Sequence, residues 1–370
     1  MLDSSDQRHT LLAQEPNLGI NSPYHRSSCD DVIARDSCAL MIEYIARRLV
    51  YMAISFVLLS IAVFVIIRLP PGDYMQTYIQ QLEDQGEKIG AAEIADLKRY
   101  YGIDVSAPEQ YVRWITKFVT GDFGRSFEFR EPVRDLLDQM LPFTILISTL
   151  TLIITYGVAI PVGIYAATHQ YKLSDYVTAI IGFLGLAIPN FMLGLILMYV
   201  FLQLFGISVG GLFSREMSGA PWSLAKVWDL IQHLWAPIII IGTAGTAGLI
   251  RVMRGTLLDE LGRQYVITAR AKGVAEPRLL FKYPVRLAIT PVVSTIGWQL
   301  PFILSGETIV GIVLSLPTVG PYLFRALMGQ DMFMAGSLVM MLGIFTLIGT
   351  LISDLLLVIV DPRIRFDRKS

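Results

Sequence analysis

Two ionisable side chains sit inside long apolar stretches of this 370-residue chain, Glu307 and Asp354. Each costs roughly 2.5–3.5 kcal/mol to place in a bilayer, so each must have a use or a partner. Glu307 has two readings: a group on a substrate or coupling-ion path, or a group bonded to a neighbouring helix or a water-filled cavity. Asp354 lies near the end of its stretch, which favours an interhelical or interfacial role. The other concentration of chemistry is a basic run, from Arg251 and Arg254 through Arg263, Arg270 and Lys272 to Arg278, Lys282 and Arg286. Catalytic signatures are missing. No Gly-x4-Gly-Lys-Ser/Thr phosphate loop, His-Glu-x-x-His or Gly-x-Ser-x-Gly occurs. The histidines (His9, His25, His169 and His233) are scattered, and Cys29 and Cys38 alone make neither a zinc site nor a disulfide framework. The residues therefore predict no enzyme, no bound metal and no cofactor on this chain.

The elements that must position these groups are membrane helices. Hydrophobic residues make up 54% of the chain and charged ones 16%, with a mean hydropathy of +0.55. Long uncharged runs settle the class as integral membrane and all-α. Leu49 to Ile67 gives 19 residues without a charge, enough for about 30 Å of hydrocarbon at 1.5 Å per residue. Five more spans are predicted, over about 142–167, 176–205, 234–250, 291–313 and 334–360. Gly157, Pro161 and Pro189-Asn190 lie inside spans, where they suit a moving gate or a statically kinked bundle equally well. The small residues Gly242-Thr243-Ala244-Gly245-Thr246-Ala247-Gly248 predict close helix–helix contact. Residues 1–40 are polar, lack hydrophobic periodicity and read as a disordered extension. The sequence Met41-Ile42-Glu43-Tyr44 would itself make a sensible start directly ahead of the first span. A sizeable soluble segment follows that span, from Leu69-Pro70-Pro71-Gly72-Asp73 to Leu141.

Six spans place both termini on one side, and charge indicates which. Segments 1–48, 168–176, 251–290 and 361–370 hold 5, 1, 8 and 4 Lys/Arg, against 9, 2 and 1 in 68–142, 206–233 and 314–333. The nine sit in a segment of about 75 residues, and long loops translocate largely regardless of charge. The termini and the 251–290 region are thus expected in the cytoplasm. Within that region the residues predict two short helices joined by a tight turn. Arg270, Ala271 and Lys272 favour helix, Gly273 ends it, and Pro277 suits the first turn of the next. A soluble element placed there is an interaction surface.

Tyr265-Val266-Ile267-Thr268-Ala269-Arg270-Ala271-Lys272-Gly273-Val274 resembles the cytoplasmic coupling-loop motif of ABC importer permeases in its dipeptide/oligopeptide form, Tyr-Val-x-Thr-Ala-Arg-Ala-Lys-Gly. Pro70-Pro71-Gly72-Asp73, Gly121-Asp122-Phe123-Gly124 with Ser126, Leu141-Pro142-x-Thr144, Ile188-Pro189-Asn190-Phe191, Asp354 and Asp361-Pro362-Arg363-Ile364-Arg365 agree in order, so the likeness covers about residues 41 to 366. Some positions depart. Ile267-Thr268-Ala269 stands where the general motif has Glu-Ala-Ala. Tyr283-Pro284-Val285-Arg286 replaces His-Ala-Leu-Arg, so the second coupling helix is expected to end early. Leu316-Pro317-Thr318-Val319-Gly320 stands for Pro-Gly-Leu-Gly, and Glu307-Thr308-Ile309-Val310 for Glu-Thr-Val-Phe, which strengthens the structural reading of Glu307.

The resemblance implies a permease subunit of an ATP-binding-cassette importer in the bacterial inner membrane. It implies a second homologous permease, two cytoplasmic ATPases that carry the ATP and Mg, and an extracytoplasmic substrate-binding protein; nucleic acid has no place in it. ATPase coupling falls to Tyr265, Thr268, Ala269, Arg270, Ala271, Lys272, Gly273 and Val274. Arg270 and Lys272 are expected to meet acidic groups of the ATPase or interfacial lipid. Asn190, Gln299 and Glu307 are the candidates for this chain's half of a substrate path. Peptides are the expected substrate. Oligosaccharides are the alternative within the same architecture, and a secondary carrier working without ATPases is the alternative of another class.

Overall fold

The computed structural model describes residues 23–68 and 105–360, and among them the fold is all-helical. Residues 1–51 and 52–370 form separate compact units. The segments 69–104 and 361–370 lie outside the described residues, and with them Pro70-Pro71-Gly72-Asp73 and Asp361-Pro362-Arg363-Ile364-Arg365. So do residues 1–22 of the expected extension. The helix that carries the first span, α1, runs Pro23–Arg68, so the backbone over 23–40 is helical where an unstructured extension was expected. Pro23 suits a first helical position, and no Gly or Pro follows it to the helix end. A helix nucleated in the apolar span therefore propagates backwards cheaply. The part fit to cross a membrane is Ile45–Arg68.

Eleven further helices follow among the described residues: α2 Ala107–Val119, α3 Val133–Thr168, α4 Leu173–Ala187, α5 Asn190–Phe205, α6 Leu224–Leu261, α7 Gln264–Ala271, α8 Glu276–Lys282, α9 Pro284–Ser294, α10 Ile296–Val313, α11 Val319–Met328 and α12 Met332–Val360. Three depart from the sequence expectation in an informative way. Helix α3 starts nine residues early and carries Pro142 inside it. Its added turns bury Val133, Leu136, Leu137 and Met140 against Val319, Ala326, Met334, Ala335 and Leu338, and that burial decides the boundary. Helix α6 runs well past both ends of its apolar core, so Arg251 to Leu261 continue the span rather than belonging to the loop. The stretch expected as one span over 291–313 is jointed at Thr295, between α9 and α10.

The third expected span is two helices bent by 102°. Pro189 forces Ile188 into extended backbone (ψ 120°), and the chain re-enters a helix only at Asn190. The halves have 15 and 16 residues, about 22 and 24 Å, each short of a 30 Å hydrocarbon layer. Their neighbours on α6 indicate how the pair runs. Asp175 bonds Arg254, Phe183 lies under Arg251, and Gly185 packs on Thr243. Beyond the break, Gly194 packs on Ile240 and Phe201 on Trp235. Contacts thus descend α6 from residue 254 to residue 235 without turning back. A re-entrant loop would return to its starting end, so these contacts favour one broken span over a re-entrant loop.

Helices α3 and α6 are the central pair. Their small residues set the spacing: a methyl on Gly163 would stand 2.7 Å from Met253 Cβ, and one on Gly242 3.1 Å from Thr155 Oγ1. The small-residue face of α6 is therefore a packing notch, as its sequence predicts. The segment before α3 is fastened to α12 by Asp331, whose buried carboxylate accepts from Ser126 Oγ at 2.5 Å and from three backbone N–H groups, of Phe127, Glu128 and Met334. Burial pushes the Asp331 carboxyl up, and those four donors work against it. The Gly121-Asp122-Phe123-Gly124 turn, with φ +81° and +78° at its two glycines, inserts Phe123 edge-on against Phe118. Its role is scaffolding.

Candidate functional site

The loop helices grow out of the end of α6. Gly262 closes that helix, Arg263 resumes extended backbone, and α7 begins at Gln264. One face of α7 is tied down: Val266 is fully buried, and the Tyr265 hydroxyl donates to Glu260 at 2.5 Å. Burial and the adjacent Glu260 carboxylate push the Tyr265 phenol up, so it stays protonated and keeps this bond. The Thr268 hydroxyl is spent on the Gln264 carbonyl of its own helix.

The turn to α8 is fixed twice. Gly273 has φ +78°; its N–H donates to the Arg270 carbonyl at 3.0 Å, and the Val274 N–H to the Ala269 carbonyl at 3.3 Å. These bonds make a complete Schellman ending, which asks for glycine at this position. Across the turn, Arg270 grips Glu276 with two bonds of 2.5 and 3.2 Å. That guanidinium holds the Glu276 carboxyl below the usual carboxylate range. The pair stays exposed, 52% and 62% at its two side chains, so Arg270 fastens its own loop and still faces outward. Helix α8 ends at Lys282, and Tyr283 (ψ −78°) redirects the chain into α9. The early end expected from Tyr283-Pro284 is present.

The pair is thus pre-organised, and it offers a mixed face. Ile267 is 48% and Phe281 62% exposed, while Thr268, Ala271, Lys272 and Gly273 are exposed and Ala269 and Val274 half-buried. A Cβ on Gly273 would meet nothing within 4 Å. The glycine is required by backbone conformation and is open on its outer side. Ile267 and Phe281 are exposed apolar side chains that sequence reasoning did not single out.

The membrane-embedded candidates lie elsewhere. Thr144, Ser148, Thr151 and Thr155 are buried and fall on one face of α3, three or four residues apart. Against this stripe lie Gln299 and Glu307 of α10, each 1% exposed. The Gln299 amide fills the notch at Gly245, where any Cβ would overlap it. Ser148 Oγ donates to Glu307 Oε2 at 3.4 Å, whereas Glu307 Oε1, Thr151 Oγ1 and Thr318 Oγ1 have no hydrogen-bond partner among the described residues. Asn190 is half-buried, its amide 3.4 Å from where a Cβ of Gly306 would be. It therefore sits beside the residue preceding Glu307, while Glu307 turns into the chain's own core. Of the three path candidates, Gln299 and Glu307 are in the bundle seam, which is the interhelical reading of Glu307. Asp354 is half-buried on α12.

One arrangement was missed entirely from sequence. Asp175, buried at the start of α4, receives Arg254 Nε at 2.7 Å and Nη2 at 2.8 Å, and the Tyr171 N–H at 3.2 Å. The available signal was an acid in the 168–176 link and an arginine at the matching end of another span.

Comparison with known proteins agrees with this architecture. Residues 159–366 match the family described as binding-protein-dependent transport system inner membrane component, and residues 41–148 match its N-terminal counterpart. Among similar proteins, the oligopeptide transport system permease protein AppB of Bacillus subtilis (strain 168) is 33% identical over 88% of this chain and 100% of its own length. The glutathione transport system permease protein GsiC of Salmonella paratyphi A is 29% identical over 88% and 100%. The dipeptide transport system permease protein DppB of Escherichia coli (strain K12) is 28% identical over 88% and 99%. Five helices of membrane length with one broken pair beside them, and a short helix pair at one end of the longest, suit a transport permease. The chain belongs to the binding-protein-dependent transport system inner-membrane family, the permease subunits of ABC importers.

Proposed function

We propose that this chain forms one half of a peptide-import path in the bacterial inner membrane. Its partners are a second homologous permease, two cytoplasmic ATPases that carry ATP and Mg, and an extracytoplasmic binding protein that delivers the substrate. The observation that carries the reading is the α7–α8 pair: two short helices held by the Gly273 turn and the Arg270–Glu276 clamp, with their outer face uncovered. An element pre-ordered in isolation loses little entropy on docking. Peptides are favoured over oligosaccharides because the permeases it resembles are named for oligopeptide, dipeptide and glutathione transport. Both termini and the 251–290 region are assigned to the cytoplasm, on the charge distribution and the six crossings. Within the docking pair, Thr268, Ala269, Ala271, Lys272, Gly273 and Val274 form the partner surface, with Ile267 and Phe281 added. Tyr265 shapes that surface from within, and Arg270 belongs to it while clamping Glu276. On the substrate side, Asn190 stays a candidate lining group, and Gln299 and Glu307 act as a polar seam that holds α10 to α3.

The test is co-purification of the ATPase subunits with wild-type chain and with Gly273→Asp and Gly273→Asn. Asp and Asn take up the left-handed turn at less cost than other L residues, and their side chains meet nothing in this chain, so a loss of recovery with the chain's unfolding temperature unchanged reports on the docked partner. ATPase recovery should fall about tenfold, the equivalent of 1.4 kcal/mol, with insertion into the membrane unchanged. Undiminished recovery and uptake would sink the docking reading and leave a carrier that works alone.

A further inference from the structure

Resting on the ATPase-docking reading, we propose that Asp175 and Arg254 are positioning residues that make the inner half-span α4 move with the docking element, so that the break at Ile188–Pro189 is the hinge of transport. Four observations carry this. The Arg254–Asp175 pair is bidentate, at 2.7 and 2.8 Å, and ties the first turn of α4 to α6 less than three turns before α7 begins. Asp175 is 5% exposed, so its charge is shielded from water and depends on this partner. A second cationic contact repeats the tie one level deeper, with the Arg251 guanidinium 4.8 Å from the Phe183 ring centre. Below that, Gly185 seats against Thr243 at a distance where a Cβ would stand 2.9 Å from Thr243 Cγ2.

Beyond the break the attachments change. Helix α5 packs on Ile240, and also on Val313 of α10. The two halves of one span thus have different neighbours, α4 on the 243–254 stretch of α6 that leads to the docking pair and α5 on its 235–240 stretch and on α10. Between them lies a proline joint of two non-helical residues, the kind of element-terminal position that absorbs a φ/ψ change. A displacement of α7–α8 by a partner is delivered to α4 through Arg254, and α4 swings against α5.

The test uses the whole importer in lipid vesicles, with Cys29 and Cys38 replaced by Ser and spin labels at Ala179→Cys with Asp259→Cys, or Ala179→Cys with Leu195→Cys. The 179–259 distance should stay fixed between nucleotide-free and ATP-trapped states, while the 179–195 distance shifts. In a second arm, Asp175→Asn and Arg254→Gln should keep ATPase subunits bound and hydrolysing ATP, yet lower uptake of a labelled dipeptide mixture per ATP by about tenfold, as expected when a buried charge loses its partner. The swap Asp175→Arg with Arg254→Asp should restore part of the ratio. A 179–259 distance that changes with nucleotide, a static 179–195 distance, or an unchanged uptake-to-ATP ratio overturns the proposal. If a variant fails to fold, the spin-label arm still decides. Failure of the docking reading itself looks different: the wild-type chain would not retain the ATPases at all.

Discussion

At the scale of single residues, the docking loop shows how types that look like contacts turn out to be internal fasteners. Arg270 and Lys272 are one residue apart in an exposed basic run, yet Arg270 is claimed by Glu276 and Lys272 is exposed beyond the helix end. Sequence spacing does not reveal this, because the partner lies across a turn whose path depends on the positive φ of Gly273. The clamp has a pH signature. The Glu276 carboxyl is held below its ordinary value of 4.5 by Arg270, so the clamp's contribution is complete above that value and is lost as pH falls through the lowered one. Amide exchange over 270–276, corrected for intrinsic rates, should be pH-independent from about 5 to 8 and accelerate only once pH falls below 4.5. Glu276→Gln should abolish that step and exchange faster throughout. A pH step that survives in Glu276→Gln would assign the protection to another group.

At the scale of elements, the α3–α6 contact sets what the bundle tolerates. Gly163 lies where a methyl would come within 2.7 Å of Met253 Cβ and 3.2 Å of the Ile250 carbonyl oxygen. Gly163→Leu should therefore force the helices apart at a cost of about 1–3 kcal/mol or more, read as a lower unfolding temperature in detergent. Gly157, with nothing within 4 Å of an added Cβ, is the control, and Gly157→Ala should be nearly silent. Since both changes raise helix propensity, equal losses at both positions would mean that the contact with Met253 does not set the tolerance. The two glycines are indistinguishable in the sequence, because both fall within the same apolar run and only the neighbouring helix separates them.

At the scale of the whole molecule, the broken span decides the topology. If α4 and α5 cross once together, residues 168–172 and 262–275 share one side, and 206–223 and 329–331 the other. Single cysteines at Lys172, Lys272, Arg215 and Gln330, on a chain lacking Cys29 and Cys38, test this with a membrane-impermeant thiol reagent on intact cells. Arg215→Cys and Gln330→Cys should react, while Lys172→Cys and Lys272→Cys should react only after lysis. Lys172→Cys and Arg215→Cys behaving alike, both reactive or both protected, would make the pair a re-entrant loop.

The sequence by itself determined the class and the place of the short helix pair between α6 and α9. Apolar runs of membrane length, Lys/Arg bias, and the Tyr265–Val274 stretch with its glycine stop are all local properties of the chain. The early end of the second short helix was also legible, since Tyr283-Pro284 acts on its own backbone. Tertiary structure alone decided what depends on a neighbour. It lengthened α3 through burial against α11 and α12, and it turned Glu307 toward Ser148 rather than toward an open face. It also paired Arg254 with Asp175 and Arg270 with Glu276. Whether a charge is free to meet a partner is a property of the space around it, and that space exists only once the helices have packed.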